Sequence, residues 1–156
     1  MKKWLGYALA LAAVPLLSLG GFGGRDVGKL QPVQVVLLET VGGKLQLHTD
    51  AGTFGRGEDL AKALEDLHKT AEGWVDLDTA EYLLLGEGTE GWLSELQEDL
   101  RPSCCLCAVA GQIDLTKVGV FLQQHPPKQT LARYRTGEQK LPRLISEEGR
   151  LKLVEE

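Results

Sequence analysis

Three cysteines, Cys104, Cys105 and Cys107, form the one cluster of soft metal ligands in the sequence. Thiolates bind zinc, but a structural zinc site needs four ligands, and the chain offers no second cysteine pair and only His125 as a conceivable further donor. We interpret the three cysteines as small apolar residues of a buried strand, with Cys105 and Cys107 on one side and Cys104 on the other. The odd cysteine count leaves a reactive or intermolecular thiol open.

Three histidines could serve as the base that activates such a thiol. His68 is predicted to be a solvated residue on a helix, His48 to lie on the outward side of an edge strand, and His125 to lie in a loop before Pro126. No familiar catalytic sequence surrounds any of them. We therefore predict no catalytic residue, no metal site and no cofactor.

The acidic residues Asp76, Asp78, Glu81, Glu87 and Glu90 invite comparison with a glycosidase pair or a calcium loop. The glycosidase mechanism needs two carboxylates at a defined separation, and a calcium loop needs alternating ligands around a central glycine. Neither pattern is met. We interpret these residues as the ends of strands and the starts of helices, where negative charge is favourable.

Two further motifs have structural interpretations. Gly55-Arg56-Gly57 precedes a predicted helix as a phosphate-binding loop would, but the remaining glycine and the Lys-Ser/Thr pair are missing. Trp74 and Trp92 are predicted to be core anchors rather than a pair that stacks on a ligand.

The elements that would position these residues alternate between strands and helices. A central helix is supported by two acid-before-base pairs four residues apart, Glu58 with Lys62 and Glu65 with Lys69. The predicted order begins with a hairpin of strands 33–38 and 44–49, a loop over 50–57, the central helix to residue 71 and a buried strand over 80–85. A helix from Thr89 to Pro102, a strand over 104–109 and a helix from Asp114 to Pro126 follow. The chain then has a short helix over 130–134 and, after a turn at Gly149, a strand near its end.

This alternation predicts an α/β fold: a single mixed β-sheet with helices packed on it, beginning with a β-hairpin. With 156 residues, of which 43% are apolar, the chain has material for one domain of ordinary size, which we assign to residues 25–156. The net charge of -5 and the lack of a basic cluster argue against a nucleic-acid partner.

Residues 1–24 have the layout of an export segment. Two lysines precede an apolar run from Trp4 to Leu19, and small residues follow it. This pattern predicts a signal peptide or, if it is not cleaved, an N-terminal membrane anchor. In either case we expect the rest of the chain to be exported.

Several segments match a known order of motifs. They are residues 23–30, the stretch through the first strand to Gly57 and Glu58, then Leu60, Ala63 and Leu64 in the following helix, Leu83-Leu84-Leu85-Gly86, residues 105–111, Leu131, and Leu141-Pro142-Arg143-Leu144. Together they resemble the N-terminal domain of the Ger(x)C, or GerAC-like, C subunit of spore germinant receptors. The resemblance covers nearly the whole exported part. It departs from the family at Gly24, where the lipidated cysteine would stand, and at Glu156, where the family continues into further domains.

The resemblance implies a non-enzymatic exported protein that acts through protein contacts in spore germination. It would lie at the outer face of the cytoplasmic or spore inner membrane, or be secreted after cleavage. Its implied partners are membrane-associated receptor or envelope proteins, with membrane contact through an uncleaved N-terminal segment. We expect contacts near the loop at 86–91 and the exposed end of the central helix. The alternative hypotheses are a thiol- or metal-binding exported protein that uses residues 104–107, and an envelope-binding domain unrelated to spores.

Overall fold

The computed structural model describes residues 29–147 and 149–155, so the predictions made for residues 1–24 lie outside the described part. Within it, the α-helices are α1 (Leu60–Thr70), α2 (Leu93–Leu96), α3 (Leu115–Gln124) and α4 (Leu131–Arg135), and short 3-10 helices cover Leu77–Thr79 and Glu90–Trp92. The strands are β1 (Leu30–Pro32), β2 (Val35–Val41), β3 (Lys44–Thr49), β4 (Phe54–Gly57), β5 (Trp74–Asp76), β6 (Tyr82–Leu85), β7 (Cys105–Ala110), β8 (Arg143–Glu147) and β9 (Arg150–Val154). No helix of the described residues is both long and apolar enough to cross a membrane.

Seven strands form one mixed sheet in the order β4-β3-β2-β6-β7-β8-β9. The four central strands, β2, β6, β7 and β8, run parallel to one another, and antiparallel strands complete both edges. β2 and β3 form the predicted hairpin, in which Gly42 and Gly43 have φ of 58° and 75°, as a tight hairpin turn requires. The predicted α/β fold with a mixed sheet is confirmed. A separate parallel pair, β1 with β5, lies beside it.

The two faces of the sheet bury different side chains. On the first face, Leu38, Leu83 and Leu106 pack with the apolar sides of α1, α2 and α4. On the second face, Leu37, Leu84, Cys107 and their neighbours pack with α3. Each fully buried leucine contributes about 1.5–3 kcal/mol relative to an exposed one, so both cores stabilise the same central strands.

Local sequence signals explain the ends of the long helices. The Asp114 carboxylate caps α3 by accepting hydrogen bonds from the backbone N–H groups of Thr116 and Lys117, at 3.1 and 3.4 Å. The helix ends at Gln124, two residues before Pro126, as predicted. On α1, Lys62 Nζ lies 2.6 Å from Glu58 and Lys69 Nζ lies 2.7 Å from Glu65, so both predicted pairs are confirmed.

Two predicted elements are wrong in part. The loop predicted over residues 50–57 contains the strand β4. The prediction missed it because the inward residues of β4 are glycines, so the strand lacks the expected apolar alternation. The helix predicted from Thr89 to Pro102 is reduced to a 3-10 turn and the single turn of α2. The Thr89 hydroxyl does not cap it, because it donates to the Gly86 carbonyl at 2.8 Å.

Trp74 is not the core anchor that was predicted. Its neighbour Val75 faces the first core, so the alternation along β5 turns Trp74 outward, where it is 40% exposed. The indole stacks on His68 with ring centroids 4.2 Å apart, and His68 is half-buried instead of solvated. Trp92 is partly buried against the first core, as expected of an anchor.

Candidate functional site

The second face of the sheet is covered only in part. The core beneath α3 draws its strand residues from β2, β6, β7, β8 and β9, and includes none from β3 or β4. The side chains that project from this uncovered end belong to Glu39, Gln46, His48, Phe54 and Arg56, which we call the hairpin face. Cross-strand pairing sets Glu39 opposite Gln46, His48 opposite Phe54, and Gln46 opposite Arg56.

His48 lies at the centre of the hairpin face. Its Nε2 is 3.1 Å from Glu39 Oε1 and 3.2 Å from Gln46 Oε1. The imidazole also stacks on Phe54, with ring centroids 6.0 Å apart and an angle of 21° between the rings. As predicted, His48 points outward, but β3 is not the edge strand because β4 lies beyond it. The polar contacts fix the ring between a carboxylate and an aromatic side chain.

Phe54 is the main apolar group of this surface. The side chain is 50% exposed, although burial of a phenyl ring is strongly favourable. Arg56, next along the same side of β4, is exposed and none of the described ion pairs includes it. Aromatic residues and arginine are enriched at protein interfaces relative to the rest of the surface.

β4 is held in place from its other side. A Cβ atom at Gly55 or Gly57 would overlap the backbone of α1 at Ala63, so only glycine lets strand and helix approach this closely. The backbone N–H of Arg56 donates to Asp66 Oδ2 on α1 at 2.8 Å. The Gly55-Arg56-Gly57 motif therefore packs a strand against a helix and does not form a phosphate-binding loop.

A crevice of about 450 Å³ lies beside the hairpin face, at the carboxyl ends of β2, β6 and β7. Its polar lining comprises Glu39, Thr40, Glu87, Glu90, Gln112 and Arg143. Open α/β sheets commonly bind ligands at this position. The loop after β6 is firmly tied to β2, because the Gly86 N–H donates to the Leu38 carbonyl at 2.7 Å. The loop at 86–91 lines this crevice, and Glu39 belongs both to the crevice lining and to the hairpin face. The loop therefore adjoins the hairpin face.

The cysteines point to both sides of β7, as predicted. Cys104 lies in the first core, Cys107 lies in the second, and Cys105 packs half-buried against the second. Burial raises the pKa of Cys104 and of Cys107 to about 12. Burial and then the charge of Glu81 raise the pKa of Cys105 as well. These surroundings favour protonated thiols, which are weak nucleophiles and weak metal ligands.

The other sequence candidates are dispersed over the fold. His48 is on β3, His68 is on α1, and His125 follows α3, where its ring stacks on Phe121 with centroids 4.7 Å apart. Across residues 29–147 and 149–155, no three His, Cys, Asp or Glu residues are arranged to hold a metal ion.

The acidic residues fall at the ends of short elements. Asp76 ends β5 and its side chain accepts from the Asp78 N–H at 3.2 Å, at the start of a 3-10 turn, while Glu90 lies in the first turn of the next. Glu81 directly precedes β6 and Glu87 follows it. This distribution agrees with their interpretation as strand ends and helix starts.

Phe54 and Arg56 are the surface residues that sequence analysis missed. They lie in the stretch predicted to be a loop, so their common orientation was not apparent. The usable signal was the alternation of Phe54 and Arg56 with two glycines, since a close approach to the following helix allows only glycine at the inward positions. Comparison of the chain with protein-family models, curated proteins and solved structures finds no match.

Proposed function

We propose that the protein is a non-enzymatic, exported envelope protein that acts through protein-protein contacts made by its hairpin face. The observation that carries the proposal is the uncovered end of the sheet, where Phe54 and Arg56 project side by side. Nothing in the described part of the chain packs over Phe54 enough to remove its ring from water. A partner that covers it would gain about half of the roughly 1.5–3 kcal/mol that full burial of such a side chain is worth, because the other half of the ring is already buried.

The resemblance to the N-terminal domain of germinant-receptor C subunits supplies the biological setting. In that setting, the partners are membrane-associated receptor or envelope proteins, and the process is spore germination. The stretch from the first strand to the start of α1, as far as Leu64, is among the segments that carry the resemblance. The loop at 86–91 borders the same surface, which supports one continuous contact area.

The alternative hypothesis, a thiol- or metal-binding protein, is less well supported. A nucleophilic or metal-binding thiol needs an electropositive or open environment that lowers its pKa. Burial acts in the opposite direction on Cys104, Cys105 and Cys107. Two of these side chains also lie in separate cores.

The test is a replacement of the chromosomal gene in the producing organism by one that encodes Phe54→Ala with Arg56→Ala. We expect delayed spore germination with a loss of unfolding free energy of about 1 kcal/mol, because Phe54 gives up its cross-strand contact with His48 while Arg56 is exposed. The matched control is Val120→Ala with Lys117→Ala, which removes an exposed apolar and an exposed cationic side chain from α3. Germination that is normal in both strains would contradict the proposal. A producer that forms no endospores would eliminate germination and leave the binding role to be tested.

A further inference from the structure

The opposite face of the sheet has a second uncovered area, at β8 and β9. Residues that project on this side pair directly across the two strands: Arg143 with Val154, Ile145 with Lys152, and Glu147 with Arg150. Their neighbour Leu144 turns the other way, into the core beneath α3. We call Arg143, Ile145, Arg150, Lys152 and Val154 the basic strip, and Glu147 is the one carboxylate among the residues that these two strands project on this side.

Within residues 29–147 and 149–155, neither core covers the basic strip. The first core, which lies beneath α1, α2 and α4, includes strand residues of β2, β3, β5, β6 and β7 but none of β8 or β9. The described helices of this face therefore do not extend over the strip, although a parallel strand such as β8 is usually covered on both faces. Ile145 and Val154 are half-buried in this open area, and Arg143, Arg150 and Lys152 are exposed.

A helical segment on the same face of the sheet has the opposite charge. Between Glu90 and Asp99 the chain carries four acidic residues and no basic one. Glu90, Glu95, Glu98 and Asp99 are all exposed, while Leu93 and Leu96 hold the segment on the first core. We call these four residues the acidic segment. Within the described residues, no ion pair includes a member of the acidic segment or a cation of the basic strip.

We propose that the basic strip is the docking surface for a second copy of this chain, which contributes its acidic segment. Both surfaces lie on the same face of the sheet, so a two-fold axis can set the acidic segment of each copy over the basic strip of the other. Two-fold dimers are the commonest closed assemblies, and they require such a self-complementary surface. The α2 turn of each copy would then continue the helical layer over β8 and β9 of its partner. This dimer leaves the hairpin face free, because that surface is on the other side of the sheet.

The experiment is sedimentation velocity of the full chain in a nonionic detergent, at low and at high salt. We expect a dimer at low salt that dissociates as salt rises, because the screening length falls from about 10 Å at 0.1 M to about 3 Å at 1 M. Arg150→Glu with Lys152→Glu should weaken association by about tenfold or more, and Glu95→Lys with Glu98→Lys should do the same. All four changes together should restore the dimer, because the charges are then exchanged. The control, Lys44→Glu with Lys117→Glu, reverses two exposed cations away from the strip and should leave association unchanged.

Several outcomes would overturn the proposal. One is a monomeric wild-type chain at both salt concentrations, including a monomer that binds anionic lipid vesicles, since the occupant of the strip would then be a lipid surface. Another is an association that neither reversal weakens, as expected if residues 1–28 cause it. Failure of the fourfold variant to dimerise, with an unchanged circular dichroism spectrum, would also overturn it.

Discussion

Phe54 and Cys107 show how the position of a side chain on the sheet decides what it can do. Both project from the second face, but α3 covers Cys107 and leaves Phe54 in solvent. The Phe54 ring can therefore contact a partner, whereas the Cys107 sulfur is buried in the second core. His48 adds polar contacts beside Phe54, with Glu39 3.1 Å away. At the scale of residues, the second face therefore exposes an aromatic ring and buries a thiol.

The buried Cys107 thiol predicts a loss of stability at alkaline pH. Burial raises its pKa to about 12, so the native state holds the proton more tightly than the unfolded chain does. This stabilisation is present below the unfolded thiol pKa of about 8.5 and is lost as the pH rises towards 12. Between about pH 8 and pH 10, we expect the wild type to lose about 2 kcal/mol more free energy of unfolding than Cys107→Ala.

Urea unfolding of both proteins at the two pH values measures this difference. The Cys107→Ala variant starts from a lower stability, so the comparison concerns the change with pH in each protein. Equal changes in wild type and variant would mean that the thiol is accessible in the native state, contrary to its position in the second core.

The contact between β4 and α1 determines the shape of the hairpin face. Gly55 and Gly57 lie against the α1 backbone, and Asp66 accepts a hydrogen bond from the Arg56 N–H at 2.8 Å. These contacts hold the strand so that Phe54 and Arg56 must project to the other side. At the scale of elements, the hairpin face depends on glycine as much as on its own side chains.

Gly55→Ala should therefore destabilise the fold. The added methyl group would overlap the Ala63 carbonyl and the Leu67 side chain, and overpacking of this kind costs about 1–3 kcal/mol. The matched control is Gly91→Ala, where nothing lies within 4 Å of the new Cβ atom. Its free energy of unfolding should change by no more than about 0.5 kcal/mol. Denaturant unfolding checks both, and equal stabilities would show that β4 does not press on α1.

The same elements explain what the sequence could predict. Asp114 and Pro126 bound α3 through local interactions, so its limits were predictable. β4 was not predictable from apolar alternation, because its inward residues are glycines. Those glycines are required by the close approach of α1, which comes later in the chain. α2 was overestimated because Leu93, Leu96 and Leu100 all reach the first core without a continuous helix. Trp74 faces outward because of the register of the β1–β5 pair, which is a long-range feature.

At the scale of the whole molecule, two cores share one set of parallel strands. β6 lies at the centre, with Leu83 in the first core and Leu84 in the second. The alternation of strands and helices predicted the fold class, but the strand order depends on pairings between distant residues. Coverage of the faces could not be predicted either, because it requires the positions of α3 and α4 relative to the sheet.

This arrangement predicts that the two cores unfold together. Leu83→Ala should cost about 2–5 kcal/mol, because it leaves a cavity in a fully buried site of the central strand. Its effect should reach α3 as well as α1, as faster amide hydrogen exchange in both helices. Val120→Ala, which shortens a side chain that is 57% exposed on α3, should change neither. Faster exchange in α1 alone would mean that the two cores are independent.

The central claim is that the hairpin face contacts another envelope protein, and site-specific photocrosslinking tests it most directly. A photoreactive amino acid replaces Phe54 in the chain expressed by its own organism, and the same substitution at Val120 serves as the exposed control. The account predicts a covalent adduct with a membrane-associated protein from position 54, none from position 120, and loss of the adduct when Arg56→Glu is added. The absence of an adduct at position 54, or equal adducts at both positions, would contradict the account.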